Sequence, residues 1–272
     1  MLKLNAIQLD KIWGYEQWIA STHENGLQQD LLNSMCGSYP LLVKIIQANE
    51  SLSIQVHPDD DSAKKLEGTS VVGKTECWYV LDATPDASLV YGLKNQYSKE
   101  QIKEAILNNT FEDFLNVVPV SKGDFIFIPA GTVHAIGKGL RLLEIQQSCD
   151  ITYRLYDWGR DRELHVEKGL SVIKNNDNET IKQFSGNFSC QYFNLEEITV
   201  KGGWGMFVSG EKNPSNWQML FILEGNGKLK DCKTMQLYDL NPEEIYAIAP
   251  SDKITIEGNV RFIRIKCGQD GE

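Results

Sequence analysis

Apolar and polar residues alternate along most of this chain with the period of a β-strand. In the stretch 51–57, Leu52, Ile54 and Val56 fall on one face of such a strand, and Ser53, Gln55 and His57 fall on the other. The same pattern predicts strands over 39–48, 76–83, 123–130 and 140–148. All are rich in β-branched and aromatic residues and are separated by clusters of Gly, Pro and Asp. A second set is predicted over 217–229, 245–258 and 259–266. One segment departs from the pattern. Between about 97 and 118, Ile102, Ala105 and Ile106, then Phe111, Phe114 and Leu115, recur at helical spacing, and Ser98 with Gln101 three residues on has the form of a capping box. One or two short helices are therefore expected as an insertion between strands.

The two halves echo each other. Residues 77–83 can be laid over 219–225 so that Trp78 meets Leu220, and the segment around Pro129 can be laid over that around Pro250. The two offsets differ by about the length of the helical insertion. The expectation is a mostly β protein of two related β-barrels in tandem. The first, residues 1–165, carries the insertion at about 97–118, and the second, 166–272, is smaller.

Composition narrows the function. The 272 residues are 42% hydrophobic and 24% charged, as in an ordinary globular protein with a sizeable core. No run of about 18 apolar residues occurs, so no membrane-spanning segment is expected. Acidic and polar residues interrupt the first 18 positions, which argues against a signal peptide and for a cytoplasmic location. Six cysteines lie far apart with no CxxC pair, so reduced thiols are expected and a cysteine zinc site is set aside. A net charge of −10 opposes binding to nucleic acid but leaves room for a small anion in a local basic pocket.

The most specific local signal is "GDFIFIPAGTVHAIG". Gly123, Pro129, Gly131 and His134 have the spacing G-x5-P-x-G-x2-H: an apolar strand enters, a Pro-Ala-Gly turn reverses it, and the His opens the return strand. This resembles the second motif of the cupin superfamily, with Lys138 where the usual Asn would stand. The superfamily's first motif, a His-x-His followed closely by Glu, is replaced by Gln55-Val56-His57, and the nearest suitable carboxylate is Glu76. Gln55, His57, Glu76 and His134 make a mixed nitrogen and oxygen set that suits Zn²⁺ with a position left for water or substrate; Mn²⁺, Co²⁺ and Fe²⁺ are also accommodated.

Together with "SIQVHPDD", "GKTECWYVL" and "SCDITYRLYDWGR", this motif is similar to type I mannose-6-phosphate isomerases in their short bacterial form. "IWGYEQW" resembles that family's Ile-Trp-Gly opening. The resemblance implies tandem cupin-type jelly-roll barrels, a single zinc held by Gln55, His57, Glu76 and His134, and Arg154 acting in catalysis. It further implies Lys74 and Glu144 as proton-transfer groups. Lys44 and Ser53 then fall near the substrate phosphate, and Arg160 joins the cations available to it. In the overlay of the two halves Glu76 meets Gln218 and His134 meets Thr255, so the second barrel is expected to be metal-free.

The reaction implied is interconversion of mannose 6-phosphate and fructose 6-phosphate through a cis-enediol. That chemistry needs a base at carbon and a fixed positive centre for the charge growing on oxygen. Whether Glu144 is the carbon base stays open. Arg154 has a structural alternative as an ion-pair partner of Asp150 or Asp157. Two rivals remain: another metal-dependent cupin, such as an Fe²⁺ dioxygenase, whose ligand set is usually richer in His, and a sugar-phosphate-binding module without turnover.

Overall fold

A computed structural model describes residues 1–174 and 181–268, and strands dominate it. A five-stranded sheet runs Tyr153–Tyr156, Ile54–Val56, His134–Ile136, Ser88–Leu93, Leu115–Pro119. A seven-stranded sheet runs Lys182–Gln183, Asp124–Ile128, Glu76–Ala83, Leu140–Gln147, Leu41–Ala48, Gly14–Ala20, Ile7–Lys11. The third sheet runs Leu2–Leu4, Ile245–Ile248, Gln218–Asp231, Lys253–Cys267, Phe193–Phe207, Asn187–Ser189, with Leu237–Leu240 paired to Gln218–Asp231. Among the described residues, no helix is long and apolar enough to cross a membrane.

The chain divides into two compact units, but not at residue 165. One comprises 8–16 and 44–184; the other comprises 1–7, 17–43 and 185–272. Leu2–Leu4 pairs antiparallel with Ile245–Ile248, opposite Leu4 to Ile245, which carries the N-terminus into the same unit as the C-terminal strands. Strand partnership such as that of Leu4 with Ile245, far apart in the chain, has no local signature, so a division by sequence position misses it.

Each unit has its own core. In the 44–184 unit, Trp78, Ile126, Ile128 and Leu142 cluster with Ile46 and Trp13, while Ile54, Val56, Phe111, Val133 and Leu155 form a second cluster. In the other unit Leu220, Ile222, Tyr246, Ile248, Ile256 and Phe262 pack together. Each fully buried side chain of this size contributes roughly 1.5–3 kcal/mol.

The two units repeat one strand pattern. Glu76–Ala83 lies between Asp124–Ile128 and Leu140–Gln147, and Gln218–Asp231 lies between Ile245–Ile248 and Lys253–Cys267. Trp78 faces Ile126, whereas Leu220 faces Tyr246. These registers set Pro129 against Ala249, one residue away from the Pro250 that sequence overlay selects.

The insertion begins as expected: Lys99–Leu107 is a helix whose Ser98 and Gln101 form the capping box. Phe111–Phe114 is a single 3₁₀ turn, and Leu115–Pro119 is a strand rather than more helix. Asn109, at φ 56°, breaks the helix, and Val117 and Val118 then pair with Val90 and Leu89.

A helix over Asp60–Glu67 was not expected from the pattern. Asp59 caps it, accepting from the Ser62 amide at 2.9 Å and pairing with Lys174 Nζ at 2.6 Å. Burial alone pushes this carboxyl up, but the bonds from Lys174 and Ser62 bring it down to about 2. Replacing Asp59 by Ala is expected to cost about 1 kcal/mol near neutral pH, typical of a lost cap. The folded-state pKa is depressed, so this contribution is present above the unfolded value of about 3.9 and is lost as pH falls toward 2. Urea denaturation of both proteins across that range should show the gap closing.

Candidate metal centre

Cross-strand register assembles the centre. In the five-stranded sheet Gln55 lies opposite His134 on one side and Arg154 on the other, and His134 lies opposite Tyr91. Residues directly opposite in antiparallel strands share a face, so these four form one row. Ser53 and His57, two positions either side of Gln55, belong to the same face. In the seven-stranded sheet Glu76 lies between Ile128 and Gln146, with Trp78 and Glu144 opposed in the next row.

The Pro129–Gly131 turn places His134. Thr132 N–H donates to the Pro129 carbonyl, and Gly131 N–H donates to that of His57 at 2.9 Å. Gly131 has φ +93°, and a Cβ there would lie 2.9 Å from the Val172 carbonyl oxygen. Only glycine fits both the turn and the close approach.

His57, Glu76 and His134 offer ligand atoms within 4.8 Å of one another, and all three residues are buried. His134 Nε2 lies 3.3 Å from Glu76 Oε1, and His57 Nε2 lies 3.6 Å from Glu76 Oε2. Each imidazole donates its Nδ1–H to a backbone carbonyl: His57 to Ile151 at 2.8 Å and His134 to Thr132 at 2.9 Å. That fixes the tautomer with the Nε2 lone pair toward Glu76, as in metal-ligating histidines. The Gln55 amide nitrogen sits 3.3 Å from His134 Nε2. A half-turn of the amide exchanges it for the oxygen.

The electrostatics favour ligation. Burial and the neighbouring Lys74 push the His57 pKa well down, which keeps the imidazole neutral. Burial pushes Glu76 up, but Lys74, His57 and His134 hold its carboxyl well below the usual range. Glu76 Oε1 is buried with no hydrogen-bond partner, an expensive arrangement unless something positive meets it. Two imidazoles with Nε2 turned toward Glu76, one ionised carboxylate, one amide and that orphaned oxygen fit a divalent cation. Lys74 Nζ lies 2.8 Å from His57 Nε2 and donates to Glu76 Oε2, so it shares the same two groups.

Behind the ligands lies a charged chain. Trp78, edge-on to His134 with centroids 5.5 Å apart, donates its indole N–H to Glu144 Oε1 at 3.0 Å. Glu144 Oε2 is 3.2 Å from Lys44 Nζ, which also lies 3.8 Å from Glu16. Burial pushes Glu144 up, partly offset by Lys44. Burial pulls Lys44 down, but Glu16 and Glu144 more than reverse this and leave it above its usual value. Lys44 is only 5% exposed and held between the carboxylates of Glu144 and Glu16.

The cations near Ser53 are arginines. Arg154 Nε reaches Ser53 Oγ at 3.3 Å, and its Nη1 donates to the Glu163 carbonyl at 2.7 Å. Asp157 is engaged by others. Arg162 binds it with two bonds of 2.6 and 2.7 Å, and Arg160 Nη2 lies 2.8 Å from it while also donating to the Ser51 carbonyl. Burial, then the adjoining Arg162, lowers the Arg154 pKa.

The structure thus brings Gln55, His57, Glu76, His134 and Lys74 together, with Arg154 and Ser53 on the same face, and sets Glu144 and Lys44 behind Trp78. Sequence reasoning missed Trp78, Gln146 and Arg162 as members of this neighbourhood. The first two carry a signal, since they lie two positions from Glu76 and Glu144 on strands of period two.

A family described as phosphomannose isomerase type I, catalytic domain, matches residues 3–87. A mannose-6-phosphate isomerase of Streptococcus mutans is 41% identical over 184 residues, covering 58% of this chain and 57% of that protein. Mannose-6-phosphate isomerase ManA of Bacillus subtilis is 37% identical over 207 residues, 70% of this chain and 64% of that protein. Each aligned stretch therefore spans less than two thirds of the curated relative. The crystal structure of the mannose 6-phosphate isomerase from Bacillus subtilis superposes with a TM-score of 0.83 at 26% identity, covering 97% of this chain and 98% of that one.

Proposed function

We propose that this chain, whose residues 3–87 match the type I phosphomannose isomerase catalytic-domain family, is a zinc-dependent isomerase interconverting mannose 6-phosphate and fructose 6-phosphate. The observation that carries the reading is the convergence of His57, Glu76 and His134, both histidines tied at Nδ1, with the Gln55 amide against His134. Bound there, the metal supplies a Lewis acid for the sugar oxygens. The two units then read as tandem cupin-type barrels, the metal held by the one comprising 8–16 and 44–184.

The chain's own groups divide the remaining work. Arg154, on the row of Gln55 and His134, offers a fixed cation to charge developing on the substrate oxygens. The arginines 154, 160 and 162 outnumber Asp157 at one end of this row, which favours a phosphate there despite the net −10, and Ser53 Oγ adds a hydroxyl. The hydrogen bond from Lys74 to Glu76 supports a part for Lys74 in carrying a proton between oxygens. Both oxygens of Glu144 are already engaged, by Trp78 and Lys44, which supports a part in holding Trp78 against His134 more than that of carbon base.

The test is turnover of mannose 6-phosphate followed by fructose 6-phosphate formation. Zinc-loaded protein should turn over, chelated protein should not, and added Zn²⁺ should restore it. Equal rates with and without chelator would remove the metal from the reading. Oxygen uptake in place of isomerisation would favour the dioxygenase rival.

A further inference from the structure

The register of the two units points to a second site. Ile128, Glu76 and Gln146 form one cross-strand row, and Ile248, Gln218 and Lys266 form the equivalent row on the corresponding strands. Gln218 thus stands in its unit where the ligand Glu76 stands in the other. The row continues to Asn194, opposite Lys266, and to Ser189, opposite Asn194. Two positions along, this same face carries Leu220 and Tyr246 of the core, so an apolar inner face turns polar at one end.

That polar end lines a cavity of about 750 Å³, whose lining also includes Asn213, Asn216 and Trp217. Gln218 Oε1 is buried without a hydrogen-bond partner, as is Arg264 Nε. Arg264 lies one row inward and pairs with Glu196. Unpaired polar atoms at the end of a core-facing sheet are costly, and a cavity of this size is in the range that holds small molecules.

We propose that this cavity is a metal-free binding site for an uncharged, polyhydroxylated ligand of monosaccharide to disaccharide size. The lining chemistry selects that class. Each amide presents a donor beside an acceptor, as a pair of neighbouring sugar hydroxyls does, and Trp217 supplies an apolar wall. Asparagine, glutamine and serine side chains outnumber the two charged residues of the lining, Lys266 and Glu196, the latter paired with Arg264. With Gln in place of Glu and no histidine in the lining, its Cys190, Cys267 and Glu196 are not among the described residues grouped closely enough to hold a metal.

The experiment is saturation-transfer NMR of D-mannose, D-glucose and maltose, each with the zinc-loaded protein, alongside maleimide labelling read by mass spectrometry. Cys190 and Cys267 line the cavity, and exposed Cys36 does not. At least one sugar should show ring-proton saturation, and that sugar should slow labelling of Cys190 or Cys267 at least three-fold while Cys36 is unchanged. Saturation should fall in Asn194→Leu and in Lys266→Met and survive in His134→Ala. Unchanged labelling of both cavity cysteines with every sugar would overturn the proposal. So would saturation lost in His134→Ala but kept in the two cavity variants, which would put the sugar at the metal centre. Protection by inorganic phosphate and by none of the sugars would overturn the assignment to an uncharged ligand.

Discussion

Replacing His134 by alanine should cost the protein both its metal and its turnover. His134 is fully buried, and its Nε2 is 3.3 Å from Glu76 Oε1. Its Nδ1–H bond to Thr132 leaves that lone pair no other direction. Alanine removes one of three charged or imidazole ligands and leaves Glu76, already short of a partner at Oε1, further unpaired. Metal measured by mass spectrometry after gel filtration should fall from one ion per chain to a small fraction. The rate should drop on the order of 10³-fold or more, the scale seen when a preorganised positive group is lost from a transition state. Zinc at full occupancy with normal turnover in this variant would place the centre elsewhere.

Replacing Arg154 should separate catalysis from metal binding. Arg154 touches Ser53 Oγ and the Glu163 carbonyl and lies beside Gln55 in register, yet neither of these bonds goes to Gln55, His57, Glu76 or His134. Arg154→Ala should keep about one metal per chain while kcat falls roughly 10²–10³-fold. Arg154→Lys should recover little, because an ammonium cannot span the two contacts that the planar fork makes at once. Loss of metal together with activity would instead make Arg154 a structural support of the Gln55 strand.

Much of this site was readable in the sequence because its signals are local. Ser53, Gln55 and His57 alternate on one strand, the G-x5-P-x-G-x2-H spacing encodes a strand, a turn that needs Gly131, and a return strand, and the resemblance adds Glu76. Other features were hidden because they depend on distant partners. The pairing of Trp78 with Glu144, and the burial of Lys44 between Glu144 and Glu16, join residues on separate strands. A lysine in an apolar strand reads alike whether it ends in solvent or between two carboxylates.

The sequence by itself determined the mostly β character, a capped helical insertion within about 97–118, and a set of candidate ligands of which His57, Glu76 and His134 meet in the structure. These follow from side-chain period, capping chemistry and turn stereochemistry, all acting within a few residues. Only the tertiary structure decided which strands are neighbours and in what register. It joined the N-terminal strand to the C-terminal unit, moved the alignment of the two units by one residue, and brought Gln218 to the place of Glu76. Such choices turn on burial of whole sheet faces and on hydrogen bonds between segments far apart in the chain, and no short stretch of residues carries them.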